Sequence, residues 1–175
     1  MRAGSLKNKI VVITGASAGL GATLAVECAQ QGARLVLLAR NAERLEVVGR
    51  ECEQLDSEVL TVVGDVAVAE DGRRLVEAAV ERFGRIDYLV ANAGISMWTE
   101  FAEIEDVTLF RKLIEVNYLG AVHCVHPALP HLKKSFRPFR GRWGCRCTRG
   151  TRRPNTRYRG FAMPCGWRWA RVGWG

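Results

Sequence analysis

Short runs of β-branched and other apolar residues alternate with longer amphipathic segments from residue 9 to about residue 132. This alternation is typical of β-α-β units, in which helices connect parallel strands. Strands are predicted over residues 10–14, 34–39, 58–63 and 86–91. Helices are predicted over about 20–31 and 42–55, from Asp71 onward, and from about 109 towards 127 or 132. The pattern predicts an α/β fold with a doubly wound parallel sheet.

The periodic pattern stops after Leu132. Between Arg137 and Gly175 there are 11 Arg, four of the five Trp and seven Gly, and Val172 is the single Val, Leu or Ile. A buried parallel strand is a nearly continuous Val/Ile/Leu run, so no such strand is predicted there. The sequence therefore divides into a folded part, residues 1–134, and an irregular basic tail, residues 135–175, which is expected to be disordered or frameshifted.

The net charge of +8 belongs to this tail. Residues 1–132 carry 13 Lys and Arg against 18 Asp and Glu, whereas residues 133–175 carry 13 bases and no acid. Arg interleaved with aromatic residues is one way to bind RNA or single-stranded nucleic acid, through phosphate contacts and base stacking. No folded RNA-binding motif is visible, so an unstructured tail that binds no nucleic acid is favoured.

The chain begins without an apolar stretch of signal-peptide length, and no apolar run reaches the roughly 20 residues that cross a bilayer. A cytoplasmic protein that avoids membranes is expected, with its six cysteines as free thiols. Cys145-x-Cys147 lacks the usual spacing of a zinc pair, and Cys124 and the three histidines are interpreted as ordinary helix-face residues rather than as metal ligands. No metal site is expected.

A glycine-rich loop follows the first strand directly and leads into the first helix. Glycines there allow a tight turn and the close approach of a pyrophosphate, whose charge is met by backbone N–H groups and the positive end of the helix. A plain turn is the alternative, but a position between strand and helix favours nucleotide binding. The predicted cofactor-binding residues of this loop are Thr14, Gly15, Ser17, Gly19, Leu20 and Gly21.

The second strand ends in Leu38-Ala39-Arg40-Asn41, without the Asp or Glu that accepts ribose hydroxyls in NAD-binding folds. A cation at Arg40 suits a 2′-phosphate, because it can form charge-assisted hydrogen bonds to it. An Arg after a strand can also be an ordinary solvated side chain. We expect NADP as the cofactor in preference to NAD.

Four motifs stand in the order and spacing of a known family. The loop residues Thr14, Gly15, Gly19 and Gly21 have the form T-G-x-x-x-G-x-G. In this form they resemble the short-chain dehydrogenases/reductases, and the resemblance extends over residues 7–134. It implies a Rossmann-like sheet of strand order 3-2-1-4, with the cofactor at the carboxyl ends of the strands.

The other three motifs extend the resemblance along the chain. Asp65 and Val66 stand where the family contacts the adenine ring. Asn92-Ala93-Gly94 is similar to the family's N-A-G motif, which supports the sheet and lines the cofactor. Asn117 matches the helix asparagine that bends the helix locally and helps to relay protons, so it is the one catalytic residue that the resemblance assigns.

The family's chemistry is hydride transfer between a nicotinamide and an alcohol or carbonyl. The resemblance implies a catalytic Ser, a Tyr as acid and base, and a Lys four residues later that lowers the pKa of the Tyr. Four residues after Tyr88, Tyr118 and Tyr158 stand Asn, Val and Ala, and Lys134 is the last lysine. The sequence therefore contains no Tyr-x-x-x-Lys, and Ser135 is given no catalytic role.

Two classes of function remain open. One is an NADP-dependent oxidoreductase of small alcohols or carbonyls whose C-terminal part was lost to a frameshift, a mispredicted exon or a truncation, and which is inactive as it stands. The other is a nucleotide-binding fragment without catalysis, or an interaction protein that acts through its basic tail. Strand four is expected to be an open apolar edge, and a homo-oligomer remains an option.

Overall fold

The computed structural model describes residues 6–98 and 100–132, and within them the chain forms one four-stranded parallel sheet flanked by helices. The strands are β1 (Ile10–Thr14), β2 (Arg34–Ala39), β3 (Val59–Val63) and β4 (Tyr88–Val90). Their order in the sheet is β3-β2-β1-β4. The predicted fold class and strand order are confirmed.

The helices connect the strands and continue after the last of them. They are α1 (Gly19–Gln30), α2 (Ala42–Glu53), α3 (Ala69–Phe83), α4 (Thr108–Ile114) and α5 (Gly120–Leu132). A short 3-10 turn, Phe101–Glu103, precedes α4, and a π-turn, Glu115–Leu119, joins α4 to α5. The long final helix predicted from about 109 is therefore present, but a π-turn interrupts it.

The strand β1 lies in the middle of the sheet, and its five residues are all buried. Val12 is in register with Val36 of β2 on one side and with Leu89 of β4 on the other. A strand buried on both faces needs apolar side chains at every position, since successive side chains point to opposite faces. This is why residues 10–13 form a continuous apolar run rather than an alternating pattern, whereas the buried hydroxyl of Thr14 at the end of the strand is hydrogen-bonded.

The core has two halves, one on each face of the sheet. On one face, Val11 and Ile13 of β1 belong to a cluster that includes residues of α1 and α2. On the other face, Val12 belongs to a cluster that includes Leu75 of α3 and Cys124 of α5. Helices therefore cover both faces, as a doubly wound sheet requires.

The predicted bounds of α3 and β4 differ from those in the structure. The helix α3 begins at Ala69 rather than at Asp71, and its preceding residue, Val68, provides no side-chain cap. The carboxylate of Asp71 is engaged elsewhere, because it accepts the backbone N–H of Asp65 at 2.7 Å. The strand β4 is limited to Tyr88–Val90, shorter than the predicted 86–91.

The short β4 has a local cause at its start. The carboxylate of Asp87 accepts a hydrogen bond from the backbone N–H of Ile10 at 2.9 Å. In a longer strand, a backbone carbonyl would accept this hydrogen bond instead. It also forms ion pairs with Arg85 at 3.1 Å and with Lys9 at 3.6 Å. Burial acts to raise the pKa of Asp87, but these hydrogen bonds and cations together hold the pKa below its usual value. Asp87 thus fastens the beginning of β1 to β4 as a carboxylate.

Two glycines allow close approaches to α5, Gly72 between α3 and α5 and Gly120 between α5 and the segment after β3. A Cβ at Gly72 would lie 2.6 Å from the backbone oxygen of His123, and a Cβ at Gly120 would lie 2.7 Å from Val66. His123 in turn donates from Nδ1 to the carbonyl of Val66 at 2.9 Å. The two helices therefore hold the segment after β3 in a fixed position.

Three cysteines, Cys28, Cys52 and Cys124, are buried with free thiols. Burial raises the pKa of Cys52 and of Cys124 to about 11, so little reactive thiolate is present near neutral pH.

Across residues 6–98 and 100–132, no group of three His, Cys, Asp or Glu side chains could hold a metal ion. The same part of the chain has no helix that is both long and apolar enough to span a membrane. The predicted tail lies outside the described residues.

Candidate functional site

A cleft of about 510 Å³ opens at the carboxyl ends of the strands. This volume is in the range of small-molecule and cofactor sites, and this edge is where open α/β sheets bind ligands. Its lining residues are Gly15, Ser17, Ala18, Leu20, Leu38, Ala39, Arg40, Asn41, Arg44, Gly64, Asp65, Val66, Asn92, Ala93, Gly94, Ile95 and Val116. The cleft therefore collects the segments that follow all four described strands.

In the loop between β1 and α1, two glycines lie in close contact with neighbouring backbone and side-chain atoms. Gly15 has φ +69°, and a Cβ on it would lie 2.8 Å from the Cα of Ala93. A Cβ on Gly21 would overlap the carbonyl oxygen of Gly15 and lie 2.6 Å from Nδ2 of Asn92. Glycine is required at both positions, because the loop, the first turn of α1 and the segment after β4 touch through their backbones.

The N-terminus of α1 faces this cleft without a polar cap. Its preceding residue, Ala18, has no side-chain oxygen, and no acidic residue stands in its first turn. The first N–H groups of a helix have no partner within the helix, and the helix dipole makes this end positive. Ser17, Ala18 and Leu20 line the cleft at this point. The arrangement suits an anionic group.

The segment after β2 places two cations on the cleft. Arg40 follows the last strand residue, and Arg44 lies in the first turn of α2. Asn41 accepts the backbone N–H of Arg44 at 2.8 Å and so caps α2. Arg40 forms an ion pair with Asp65 at 3.6 Å, and the two side chains are 60% and 33% exposed.

The segment after β3 is held by polar contacts on both sides. Oδ1 of Asp65 accepts the backbone N–H of Ala67 at 2.9 Å, and the backbone N–H of Asp65 donates to Asp71 at 2.7 Å. Asp71 also pairs with Arg74 at 3.0 Å, and Arg74 donates to the carbonyl of Val63 at 2.7 Å. Asp65 therefore lines the cleft, and hydrogen bonds hold its backbone in place.

The segment after β4 is fastened to β1 by a buried hydroxyl. Oγ1 of Thr14 accepts the backbone N–H groups of Asn92 and Ala93, each at 3.1 Å, and donates to the carbonyl of Val90 at 3.4 Å. The side chain of Asn92 donates to the carbonyl of Thr14 at 3.0 Å. Thr14 is thus a structural support behind the cleft rather than part of its lining.

Asn117 lies in the π-turn and pairs with the backbone beyond the N-A-G motif. Its Oδ1 accepts the N–H of Ile95, and its Nδ2 donates to the carbonyl of Ile95, both at 2.8 Å. A π-turn is a local departure from the α-helix that is common at functional sites. The π-turn interrupts the helix at Asn117, and the amide of Asn117 is occupied by the backbone of Ile95.

Most of the predicted cofactor-binding residues meet in the cleft. Those that line it are Gly15, Ser17, Leu20, Arg40, Asp65, Val66, Asn92, Ala93 and Gly94. Thr14, Gly19, Gly21 and Asn117 are not among the lining residues. Sequence reasoning missed Arg44 as a cleft residue and Asp71 as the support of Asp65. The helix-cap position of Asn41 was the signal for Arg44, because a residue three positions after the cap lies in the first turn.

The family model for short chain dehydrogenase matches residues 9–142. This chain belongs to the short-chain dehydrogenase family. The resemblance predicted from four motifs over residues 7–134 is confirmed.

Curated plant members of the short-chain dehydrogenase family are similar over the same part. The chain is 44% identical over 134 residues to 11-beta-hydroxysteroid dehydrogenase-like 4A of Arabidopsis thaliana, covering 74% of this chain and 44% of the relative. It is 44% identical over 128 residues to 11-beta-hydroxysteroid dehydrogenase A of Sesamum indicum, covering 73% of this chain and 37% of the relative. The chain thus spans less than half the length of these relatives.

Two solved structures of family members carry nicotinamide cofactors. An alcohol dehydrogenase from Thermococcus sibiricus, complexed with 5-hydroxy-NADP, is 37% identical with a TM-score of 0.70, covering 74% of this chain and 55% of its own. Carveol dehydrogenase from Mycobacterium avium, in complex with NAD, is 28% identical with a TM-score of 0.70, covering 77% of this chain and 53% of its own. Both forms of the dinucleotide therefore occur among the structural relatives of this chain.

Proposed function

We propose that this chain binds a nicotinamide dinucleotide in the cleft, taking NADP in preference to NAD, and that its 175 residues do not transfer hydride. The observation that carries the proposal is the pair of guanidinium groups, Arg40 and Arg44, where β2 ends and α2 begins. Within β2 and the first residues after it, no carboxylate is present to accept ribose hydroxyls. A 2′-phosphate has the opposite charge to these two side chains.

The rest of the cleft fits a dinucleotide. The uncapped N-terminus of α1 would bind the pyrophosphate through its backbone N–H groups. The segment after β3, with Asp65 and Val66, would lie against the adenine ring. The segment Asn92–Gly94, at the end of β4, would line the path towards the nicotinamide. When bound, the cofactor supplies the hydride-transfer chemistry, and the residues named here hold and orient it.

The domain organisation and the reaction of the whole protein are part of the same proposal. We assign residues 1–134 to the nucleotide-binding domain and residues 135–175 to the basic tail. The names of the plant relatives support an oxidoreductase of alcohols and carbonyls, acting on a small molecule that a complete chain would bind. The site residues Thr14, Gly19 and Gly21 act by shaping the loop, whereas Asn117 fixes the backbone at Ile95.

Arg40→Ala is expected to weaken NADPH binding about tenfold and to leave NADH binding nearly unchanged. The reason is the loss of charge-assisted hydrogen bonds to the 2′-phosphate, which are worth about 1.5–3 kcal/mol. The measurement is a fluorescence titration of the purified chain with each reduced cofactor. Arg50→Ala is the matched control, because Arg50 is an exposed arginine of α2 that pairs with Glu46 and does not line the cleft.

The control variant should bind both cofactors as the unchanged chain does. An equal loss of NADPH and NADH affinity in Arg40→Ala would contradict the assignment of Arg40 to the 2′-phosphate. Failure of the unchanged chain to bind either dinucleotide would contradict the proposed function as a whole.

The purified chain is expected to leave NADPH unoxidised with every carbonyl substrate offered. Hydride transfer in this family needs a proton donor beside the carbonyl, and the sequence holds no Tyr-x-x-x-Lys. The NADPH absorbance is followed over time with a panel of aldehydes, ketones and ketosteroids. Steady oxidation that depends on both protein and substrate would overturn the proposed inactivity while leaving cofactor binding intact.

A further inference from the structure

The ion pair between Arg40 and Asp65 joins two segments of the cleft, one after β2 and one after β3. Its atoms are 3.6 Å apart, and the side chains are 60% and 33% exposed. Exposed ion pairs of this kind contribute little to stability, because solvent screens them and ordering long side chains costs entropy. The pair can therefore open without disturbing the fold.

The two partners differ in how firmly they are held. Asp65 has a fixed backbone and a second carboxylate contact, since its N–H donates to Asp71 and its Oδ1 accepts from Ala67. In the part of the chain that the structure describes, the ion pair with Asp65 is the one polar contact of the Arg40 side chain. Arg40 is thus the partner that can move, and Asp65 is the partner that stays.

We propose that Arg40 exchanges partners, binding the Asp65 carboxylate when the ribose carries a 2′-hydroxyl and the 2′-phosphate when the ribose carries one. The inference rests on the proposed function and deepens it. With a 2′-hydroxyl in the cleft, the guanidinium is not left without a counter-charge, since Asp65 supplies one. The site therefore accepts both cofactors, and its preference for NADP is modest.

Asp65 limits the preference for NADP because its carboxylate competes with the 2′-phosphate for the same guanidinium. Arg44, which lines the same part of the cleft, has no such acidic partner among the described residues. Asp65 is therefore a positioning residue for cofactor choice, acting through Arg40.

The test is Asp65→Asn in the full chain, with NADPH and NADH titrated separately. The amide oxygen of Asn can still accept from Ala67, while the charge is removed. We expect the ratio of the NADH to the NADPH dissociation constant to rise about fivefold, which corresponds to about 1 kcal/mol. The rise should come from tighter NADPH binding and should shrink at high ionic strength, since screening weakens both charges.

The double variant Asp65→Asn with Arg40→Ala separates the exchange from a general effect of the substitution. The exchange predicts that Asp65→Asn no longer changes the ratio once Arg40 is absent. Glu46→Gln is the matched control, because it removes a carboxylate that pairs with Arg50 on α2 and does not line the cleft.

Three results would overturn the exchange. They are a ratio that stays or falls in Asp65→Asn, a rise that persists without Arg40, and an equal rise in Glu46→Gln. In each of these cases the unchanged chain still binds the dinucleotides, so the proposed function stands. If the unchanged chain binds neither dinucleotide, the proposed function fails and the exchange fails with it.

Discussion

Gly21→Ala is expected to weaken NADPH binding about a hundredfold, equivalent to roughly 3 kcal/mol, and to destabilise the fold by about 1–3 kcal/mol. The added methyl group would overlap the carbonyl oxygen of Gly15 and lie 2.6 Å from Nδ2 of Asn92. Neither neighbour can move freely, because one is backbone and the other donates to the carbonyl of Thr14. The loop must therefore shift, and with it the N–H groups that suit an anion.

Gly19→Ala is the comparison for this variant. Gly19 has φ +56°, but a Cβ on it would meet no atom within 4 Å. The substitution is therefore expected to destabilise the fold by about 1–2 kcal/mol, because alanine is strained in the left-handed conformation. No steric overlap adds to this amount. Urea unfolding and NADPH titration of both variants measure the difference. A Gly21→Ala chain that binds NADPH as tightly as the unchanged chain would show that the contact at Gly15 does not shape the site.

Thr14→Val is expected to destabilise the fold by about 1–3 kcal/mol and to release the segment after β4. Valine has nearly the shape of threonine, so packing is preserved while the hydroxyl is lost. The N–H of Asn92 keeps a second acceptor in the carbonyl of Val90 at 3.0 Å. The N–H of Ala93 has only Thr14 as a recorded acceptor among the described residues, so it loses its partner.

Thr14→Ser is the control, because it keeps the hydroxyl and removes only a methyl group. Hydrogen exchange of the Ala93 amide distinguishes the two variants. Protection should fall in Thr14→Val and remain in Thr14→Ser, and NADPH affinity should follow the same order. Unchanged protection in Thr14→Val would mean that this amide finds another acceptor, and the role given to the Thr14 hydroxyl would be wrong.

The parts of the fold that depend on local pattern were predictable from the sequence. The buried strands β1 and β2 have the predicted bounds, because continuous apolar runs between glycine-rich or polar segments leave few alternatives. The start of α3 was not predictable in this way. Asp71 is a good capping residue by type, yet its carboxylate binds the backbone of Asp65, six residues earlier. Local propensity cannot anticipate a contact made by a folded loop.

The candidate site shows the same division. Motif spacing brought Gly15, Arg40, Asp65 and Asn92 together, because the carboxyl ends of parallel strands meet at one edge. The partnership of Arg40 with Asp65 could not be predicted from the sequence. It depends on β3 lying beside β2, and on the directions of two exposed side chains. The interpretation of Arg40 as a cation that suits a 2′-phosphate therefore did not include its ion pair with Asp65.

The π-turn at Glu115–Leu119 sets the rotational phase of the helix that follows it. An α-helix turns by about 100° per residue, and a π-turn accommodates one extra residue within the helix. With the extra residue in place, the side chain of Asn117 is hydrogen-bonded to the backbone of Ile95. In the same arrangement, Gly120, Cys124 and Ala128 form the buried side of α5. Deleting a single residue here would rotate that buried side by about 100° away from α3. The length of this segment is therefore more strictly constrained than its composition.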